Sequence, residues 1–339
     1  MNKKRLIILI LSITFVIAAG LGIYFFTPVS IPSSARAMLS FYTTNKPDAE
    51  ITVAIINGDS TDIKAYGHDG KEISVPDRFY EIGPISKTIT GGIAAKAVKD
   101  GYLNLDCHIT DYLTLSSSAY IPTIRELITH CNAYADYLPK NTSPSDNPYS
   151  GITGNKIIAA MNSFLLKSQP PYLYAESDFG VVALSTVLSK IYDVDFYSIL
   201  TLFTQNELGL KNTYVSVEGT IADGWQWNYD DAYIASLGLT SNISDMVKYA
   251  KLYLNSSKDY LKTAAKPLTK INEETSVGYQ WLITDNGNIL SQSGQTGHYA
   301  SAITIDLKNR KAIIVLSNYA NDKYGNTGDI ATAFLQEIE

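Results

Sequence analysis

The sequence predicts an α+β fold in which one antiparallel sheet is built from both ends of the chain and flanked by helices. The runs that look like strands are rich in β-branched residues or alternate between apolar and polar side chains. They lie at 51–56, 63–67, 277–283, 300–306 and 311–317. The part between them, about 105–270, shows loops and helical patterns instead. Because strands occur at both ends and helices between them, we expect a single sheet with an inserted helical region.

Turn and helix-start signals set the order of the elements along this domain. Gly58 and Asp59 separate the first two strands as a hairpin turn would. Pro84 begins a helix that continues through Val98, since proline fits the first helical turn, where its missing N–H would have no partner. Further helices are predicted at 122–130, 177–192 and 244–254, with a closing helix from about residue 327.

Composition excludes several classes of function. The 339 residues carry a net charge of −6 and the only basic run lies within the first five residues, so nucleic acid is not an expected partner. The four histidines, His68, His108, His130 and His298, show no metal-ligand spacing. We therefore expect neither a metal ion nor another cofactor.

The N-terminus has the pattern of a single membrane anchor. Three basic residues lie in a stub at 1–5, and the uncharged run at 6–26 would span about 30 Å as a helix, at about 1.5 Å per residue. This charge asymmetry places the stub in the cytoplasm and the rest of the chain outside the cytoplasm. A cleavable signal peptide is the alternative, because residues 18–20 form a small-residue cleavage site. A linker at 27–47, with a short helix near 35–42, then leads into a domain at 48–339.

The two cysteines leave their pairing open. An exported domain permits a disulfide between Cys107 and Cys131, but two widely spaced cysteines give no framework pattern. The sequence is consistent with two unpaired, half-buried cysteines and also with one disulfide bond between them.

The stretch 79–92 carries the first chemical motif. Its Pro84-Ile85-Ser86-Lys87 segment resembles the Ser-x-x-Lys nucleophile motif of the serine β-lactamase and penicillin-binding-protein family, which lies at a helix start. Residues three apart share a helix face, so in that family the lysine reaches the serine that it activates. The chain has proline at the position of the nucleophile.

The resemblance extends over nearly all of 48–339. The segments 101–106, 122–130, 239–246 and 278–281 are similar to successive segments of the same family, and most similar to class C β-lactamases and D-Ala-D-Ala carboxypeptidases. The resemblance implies that family's α+β fold, and a pocket for peptidoglycan peptides that end in D-Ala-D-Ala or for related acyl-D-amino acids.

The second motif of the family, Tyr-x-Asn, aligns with Tyr174-Ala175-Glu176. The resemblance implies that the Tyr174 phenol lines the pocket and that a glutamate replaces the asparagine that contacts substrate. A carboxylate close to Lys87 favours the ammonium form of the lysine. We therefore expect an ion pair between Lys87 and Glu176, which works against Lys87 as a base.

The third motif, Lys/His-Thr-Gly on a strand at the edge of the cleft, aligns with Gln295-Thr296-Gly297. In the family the cation at its first position helps to hold a substrate carboxylate. Gln295 can donate a hydrogen bond but has no charge. His298 follows directly, either as partial compensation for the lost cation or as a surface residue.

These departures predict a pocket with weak or no acyl-transfer activity. Proline offers neither a hydroxyl nor the backbone N–H that the family's serine contributes to the oxyanion hole, and loss of one such donor alone costs about 10²–10³ in rate. The alternative is an active D-alanyl-D-alanine carboxypeptidase or esterase that uses Ser86 with Lys87 and Tyr174. A second alternative is a non-catalytic protein that interacts with the cell wall.

The anchor prediction is tested by cell fractionation. The full-length chain of 37.2 kDa should sediment with membranes, because 6–26 is long enough to span a bilayer once. A soluble mature form that begins near residue 21 would instead favour the cleaved signal peptide.

Overall fold

The computed structural model describes residues 32–116, 120–135, 137–141, 145–166, 169–217, 221–321 and 326–338. Its main feature is a nine-stranded antiparallel sheet in the order β3-β2-β1-β12-β11-β10-β9-β8-β7. The strands of this sheet are β1 (Ile51–Asn57), β2 (Ser60–Tyr66), β3 (Glu72–Ile73), β7 (Thr269–Lys270), β8 (Ser276–Val277), β9 (Leu282–Thr284), β10 (Ile289–Gln295), β11 (Ala300–Asp306) and β12 (Lys311–Ser317). A small second sheet contains β4 (Tyr80–Glu81), β5 (Tyr214–Val215) and β6 (Leu239–Ser241), in the order β4-β6-β5.

The two ends of the domain meet at the centre of the large sheet. Strand β1 pairs with β12 in a register that runs from Ile51 opposite Ser317 to Asn57 opposite Lys311. The predicted α+β architecture, with a sheet built from both ends, is therefore confirmed. The predicted strand at 277–283 is wrong as a continuous element, because a turn separates β8 from β9. Within that turn Gly278 donates a backbone hydrogen bond to Trp281, and Gln280 has a positive φ of 68°.

The helices cover both faces of the sheet and fill the region inserted between the strands. They are α1 (Ala35–Thr43), α2 (Ile85–Lys99), α3 (Ile124–Ile128), α4 (Gly154–Ser163), α5 (Asp178–Tyr192), α6 (Phe196–Leu202), α7 (Ile234–Leu237), α8 (Ile243–Leu254), α9 (Asp259–Ala264) and α10 (Thr327–Glu337). A π-helical turn, Phe203–Glu207, continues α6, and three 3₁₀ turns lie at His68–Gly70, Ile109–Asp111 and Asp285–Gly287.

Side-chain caps fix the helix starts that matter for the site. Ser177 caps α5 by accepting a hydrogen bond from Gly180, and Thr123 caps α3 in a capping box with Glu126. The N-cap of α8 is Asn242, whose side chain accepts a hydrogen bond from the backbone N–H of Asp245, so the helix begins one residue before the predicted 244.

Two apolar layers enclose the sheet. The larger core contains α2, α5, α8 and one face of the strands, while α1 and α10 pack on the other face through Ala35, Leu39, Ile330 and Phe334. The predicted short helix near 35–42 is α1. Because α1 is buried against the sheet, the later part of the predicted linker packs as part of the domain. Among the described residues, no helix is long and apolar enough to cross a membrane. The predicted anchor at 6–26 lies outside them.

Two glycines allow α2 to pack closely on its neighbours, one in the middle of the helix and one on β10 opposite its start. A Cβ on Gly91 would lie 2.2 Å from the Tyr279 carbonyl oxygen, so the helix packs directly on the backbone of the β8–β9 turn. A Cβ on Gly294 would lie 2.2 Å from Cγ of Pro84, so the proline ring rests on β10 where a side chain would block it. The first turn of α2 is thereby placed against the end of β10.

Candidate active-site cleft

Pro84 occupies the position from which the cleft is built. It is the N-cap residue of α2, with helical dihedral angles, and it follows Gly83, whose φ of 45° lies in the left-handed region. Its carbonyl oxygen accepts a hydrogen bond from the Lys87 backbone N–H at 3.0 Å and one from Nε2 of Gln292 at 3.4 Å. Position 84 therefore presents an apolar ring and no hydroxyl.

Lys87 lies one turn further along α2 and is 2% exposed. Its Nζ lies 2.7 Å from Oε1 of Glu176 and 2.8 Å from Oδ1 of Asp178, the first residue of α5. The ion pair with Glu176 is the one that the sequence predicted. The pair with Asp178 was missed, although a second carboxylate in the same short segment was the available signal.

Neighbouring side chains hold these two carboxylates in place. Oδ1 of Asp178 accepts a hydrogen bond from the Ser236 hydroxyl of α7 at 2.5 Å. Oε1 of Glu176 accepts a second hydrogen bond, from Nε2 of Gln292 on β10 at 3.2 Å. The sequence did not indicate roles for Gln292 or Ser236, because neither belongs to a motif. The three charged groups, Lys87, Glu176 and Asp178, are called the charge trio below.

The trio keeps all three groups ionised. Burial opposes the ammonium form of Lys87, but the charges and hydrogen bonds of Asp178 and Glu176 together outweigh it, so the pKa of Lys87 lies above its ordinary value. Burial likewise opposes the two carboxylates, and Lys87 nevertheless holds the pKa of both Glu176 and Asp178 below their ordinary values. The arrangement thus favours the ammonium form of Lys87 over the neutral amine at neutral pH.

The Tyr174 segment is positioned by a buried histidine. His130 accepts a hydrogen bond from the Ala175 N–H through its carbonyl oxygen and one from the Ser177 N–H through Nδ1, both at 3.1 Å. Burial and the nearby Lys87 charge lower the pKa of His130 to about 4, so the imidazole is neutral and able to accept. The sequence showed no metal-ligand spacing for His130, and it did not indicate this contact.

Tyr174 is half-buried and lies beside the trio. Its ring meets the His130 ring at 5.9 Å in an edge-to-face contact. Burial and the Glu176 charge raise the pKa of Tyr174 to about 12, although Lys87 acts in the opposite direction. The phenol is thus protonated at neutral pH.

Ser86 points away from the cleft. Its side chain is fully buried, and its Oγ accepts a hydrogen bond from the backbone N–H of Leu239 at 3.2 Å. The alternative in which Ser86 acts as the nucleophile does not fit this placement, because a serine without exposed surface cannot meet a carbonyl carbon of a ligand. Its position, next to Lys87 rather than three residues from it, turns it to another face of α2.

The third motif lies where β10 ends. Gln295 and His298 are exposed, whereas Thr296 is buried and donates a hydrogen bond through Oγ1 to Oε2 of Glu81. The other oxygen of Glu81 accepts from the Trp225 backbone N–H at 2.5 Å, and burial raises the pKa of Glu81.

Trp225 closes this edge of the cleft. Its Nε1 would lie 2.6 Å from a Cβ on Gly297, so the indole packs directly on that glycine. The sequence did not indicate a role for Glu81 or Trp225, because no motif spacing links them to Thr296 and Gly297.

The residues that the structure describes include two thiols but no cluster of metal-ligating groups. No group of three or more histidine, cysteine, aspartate or glutamate side chains there is placed to hold a metal ion. Cys107 and Cys131 are both half-buried free thiols in this structure. The cleft therefore offers charged, hydrogen-bonding and aromatic side chains as its chemical groups.

The architecture and the cleft together are those of the serine β-lactamase and penicillin-binding-protein class. The family model described as "Beta-lactamase" matches residues 41–337, and the chain belongs to this family.

Individual relatives agree with that assignment. A β-lactamase from Providencia stuartii is 27% identical over 67% of this chain, and one from Pseudomonas fluorescens is 24% identical over 68%. The matches span 60% and 65% of the length of those two relatives. A β-lactamase/D-alanine carboxypeptidase from Yersinia pestis, solved with citrate, has a TM-score of 0.73 at 17% identity, and the match covers 88% of this chain and 94% of that one.

Removing the lysine of the trio should destabilise the protein in a pH-dependent way. We expect Lys87→Met to cost about 3 kcal/mol at pH 7, because it leaves two partly buried carboxylates without their cation. The matched control is Lys96→Met on the same helix, which removes an exposed pair with Asp100 and should cost less than about 1 kcal/mol.

The directions of the three pKa shifts determine the pH range over which the unchanged protein is more stable than Lys87→Met. The contribution of Lys87, whose pKa is raised, is complete below its unfolded pKa of about 10.4 and is lost as pH rises through the folded value. The contributions of Glu176 and Asp178, whose pKa values are lowered, exist above about pH 4 and are lost as pH falls through the folded values. Urea unfolding from pH 3 to 11 should therefore show the largest difference between about pH 5 and 10. An equal difference at every pH would contradict the paired state.

Proposed function

We propose that this protein binds peptidoglycan-type ligands, peptides that end in D-Ala-D-Ala or related acyl-D-amino acids, without forming an acyl-enzyme. The observation that carries the proposal is Pro84 at the start of α2, where the Ser-x-x-Lys motif has its nucleophile. Three neighbouring observations support it: the charge trio, the buried Ser86, and the uncharged Gln295 at the end of β10.

Acyl transfer by this fold needs a nucleophile, a base and an oxyanion hole, and the cleft departs from each requirement. Pro84 has neither a hydroxyl nor an N–H. Lys87 is held as an ammonium by Glu176 and Asp178 and so cannot accept a proton near neutral pH. Without a hydroxyl at position 84 the covalent route is closed, and the missing N–H removes one oxyanion donor besides.

The ligand class rests on the family and on the parts of the cleft that are retained. Tyr174, Thr296 and Gly297 keep the residue types of the family motifs, which supports a ligand of the same class. The names of the relatives, β-lactamase and β-lactamase/D-alanine carboxypeptidase, point to β-lactams and to D-alanine-ended peptides as the ligands of such a cleft. Binding without turnover uses the same scaffold with altered side chains.

We further propose that the domain lies outside the cytoplasm, anchored by 6–26. The support for this location is the pattern of the N-terminal sequence, a basic stub followed by an uncharged run. An extracytoplasmic domain would meet the proposed ligand where peptidoglycan is present.

Restoring the motif residues should restore acylation in steps. The unchanged protein should take no covalent label from a fluorescent penicillin, and Pro84→Ser should give slow labelling, because it returns the hydroxyl and the N–H together. Adding Glu176→Asn, Asp178→Asn and Gln295→Lys should speed labelling at least about tenfold more, since Lys87 is then released from both carboxylates. These groups act as a unit, so the gains should not be additive.

Mass spectrometry of the adduct locates the reacting residue. The matched control, Ser86→Ala, should leave every labelling rate unchanged if the buried serine takes no part. Rapid acylation of the unchanged protein at Ser86 would overturn the proposal in favour of an active serine carboxypeptidase or esterase.

A further inference from the structure

The floor of the cleft carries a net negative charge. Lys87 contributes one positive charge, while Glu176 and Asp178 contribute two negative charges, and all three pKa shifts favour the ionised forms. At the edge of the cleft Gln295 is neutral where the family motif has a cation. A ligand carboxylate entering this cleft meets no unpaired lysine or arginine among the motif positions.

One oxygen of Glu176 is available to a ligand. Its Oε1 accepts from both Lys87 and Gln292, whereas Oε2 accepts no hydrogen bond from the residues that the structure describes. The side chain is 46% exposed, compared with 29% for Asp178 and 2% for Lys87. Glu176 therefore presents a fixed, half-exposed acceptor, and its orientation is set before any ligand binds.

Aromatic side chains line the space beside the trio. Tyr149 contacts Trp225 at 5.6 Å in an edge-to-face arrangement and Tyr233 at 4.6 Å. Tyr233 directly precedes α7, and Ser236 of α7 donates its hydroxyl to Oδ1 of Asp178 at 2.5 Å, so both rings lie beside the trio. Trp225 lies on Gly297 at the edge of the same cleft.

A buried hydroxyl in this group has no partner. The Tyr233 side chain is buried, and its hydroxyl makes no hydrogen bond to any described residue. Tyr233 is the N-cap residue of α7, the helix whose Ser236 holds Asp178, so its ring also belongs to the surroundings of the trio. An unpaired buried hydroxyl is costly, and Tyr233 has no exposed surface through which a ligand could reach it. Tyr149, which is half-buried, is accessible to a ligand.

We propose that the cleft recognises a positively charged ammonium group, which binds between Oε2 of Glu176 and the aromatic rings of Tyr149 and Trp225. The inference rests on the proposed function and narrows its ligand class to peptides that carry a free amine, on a lysine-type side chain or at an amino terminus. A carboxylate gives such a cation a charge-assisted hydrogen bond, and the faces of tyrosine and tryptophan rings attract it through their quadrupoles. A carboxylate group in the same place would be repelled by Glu176.

A matched pair of tripeptides tests the inference. Nα-acetyl-L-lysyl-D-alanyl-D-alanine carries one ammonium, and its Nα,Nε-diacetyl counterpart has none, while the D-Ala-D-Ala end is the same. Calorimetry with the unchanged full chain should show about fivefold to tenfold tighter binding of the free amine. Glu176→Gln should remove this preference, and Gln295→Lys, at an exposed position, should reduce it by returning a cation to the cleft edge. Glu273→Gln, an exposed carboxylate in a distant turn, is the matched control and should change nothing.

A second pair of probes separates this inference from the proposed function. Butylammonium and butyrate lack the D-Ala-D-Ala end, and the part of the tryptophan fluorescence quenching that is lost in Trp225→Phe reports their binding near Trp225. If both tripeptides bind equally well, the ammonium inference is wrong and the proposed function stands. If neither tripeptide binds but butylammonium does so in a Glu176-dependent way, the ammonium inference stands and the peptide ligand class is wrong. If butyrate binds better than butylammonium, or Glu176→Gln leaves the preference for the amine unchanged, the inference is overturned.

Discussion

The cleft depends on one buried ammonium group. Moving a lysine to 2% exposure costs several kcal/mol unless its charge is compensated, and Lys87 has two carboxylates within 2.8 Å as compensation. Those carboxylates come from the loop and helix start at 176–178, and they are held in turn by Ser236 on α7 and Gln292 on β10. The charge trio thus ties α2, α5, α7 and the large sheet together at one place.

The same arrangement combines the family's architecture with altered side chains at the motif positions. The sheet, the helix that begins at residue 84 and the strand that ends at Gln295 all follow the family architecture. The departures are confined to a few side chains in the cleft, where Pro84, Glu176, Asp178 and Gln295 alter charge and hydrogen bonding. Function in such folds lies in the site rather than in the architecture, so these few side chains are enough to change it.

Local patterns explain why much of the fold was predictable. The β-branched runs at both ends of the domain specified the central strands, and the helical spacing at 177–192 specified α5. The break between β8 and β9 was not predictable in the same way. It depends on the positive φ of Gln280, which no residue preference signals, and on the contact of the turn with Gly91 of α2.

Site residues that belong to a family motif were predictable from the sequence. Residues that reach the site only through tertiary contacts were not. Alignment with the family motifs pointed to Lys87, Tyr174 and Glu176, and it predicted the ion pair between Lys87 and Glu176. It did not show that His130 would position the Tyr174 segment, or that Glu81 would join Thr296 to Trp225, because these partners are distant in sequence. The burial of Ser86 likewise depends on Leu239, which lies on the small second sheet.

The most direct test of the account is the ionisation state of Lys87 itself. An NMR titration that follows the ¹³Cε and ¹⁵Nζ signals of Lys87, assigned with the Lys87→Arg variant, reports the charge of this one group. The account predicts an ammonium that persists through neutral pH and titrates above the ordinary lysine value of about 10.4. A Lys87 that is already neutral near pH 7 would contradict it, since the cleft would then contain a base.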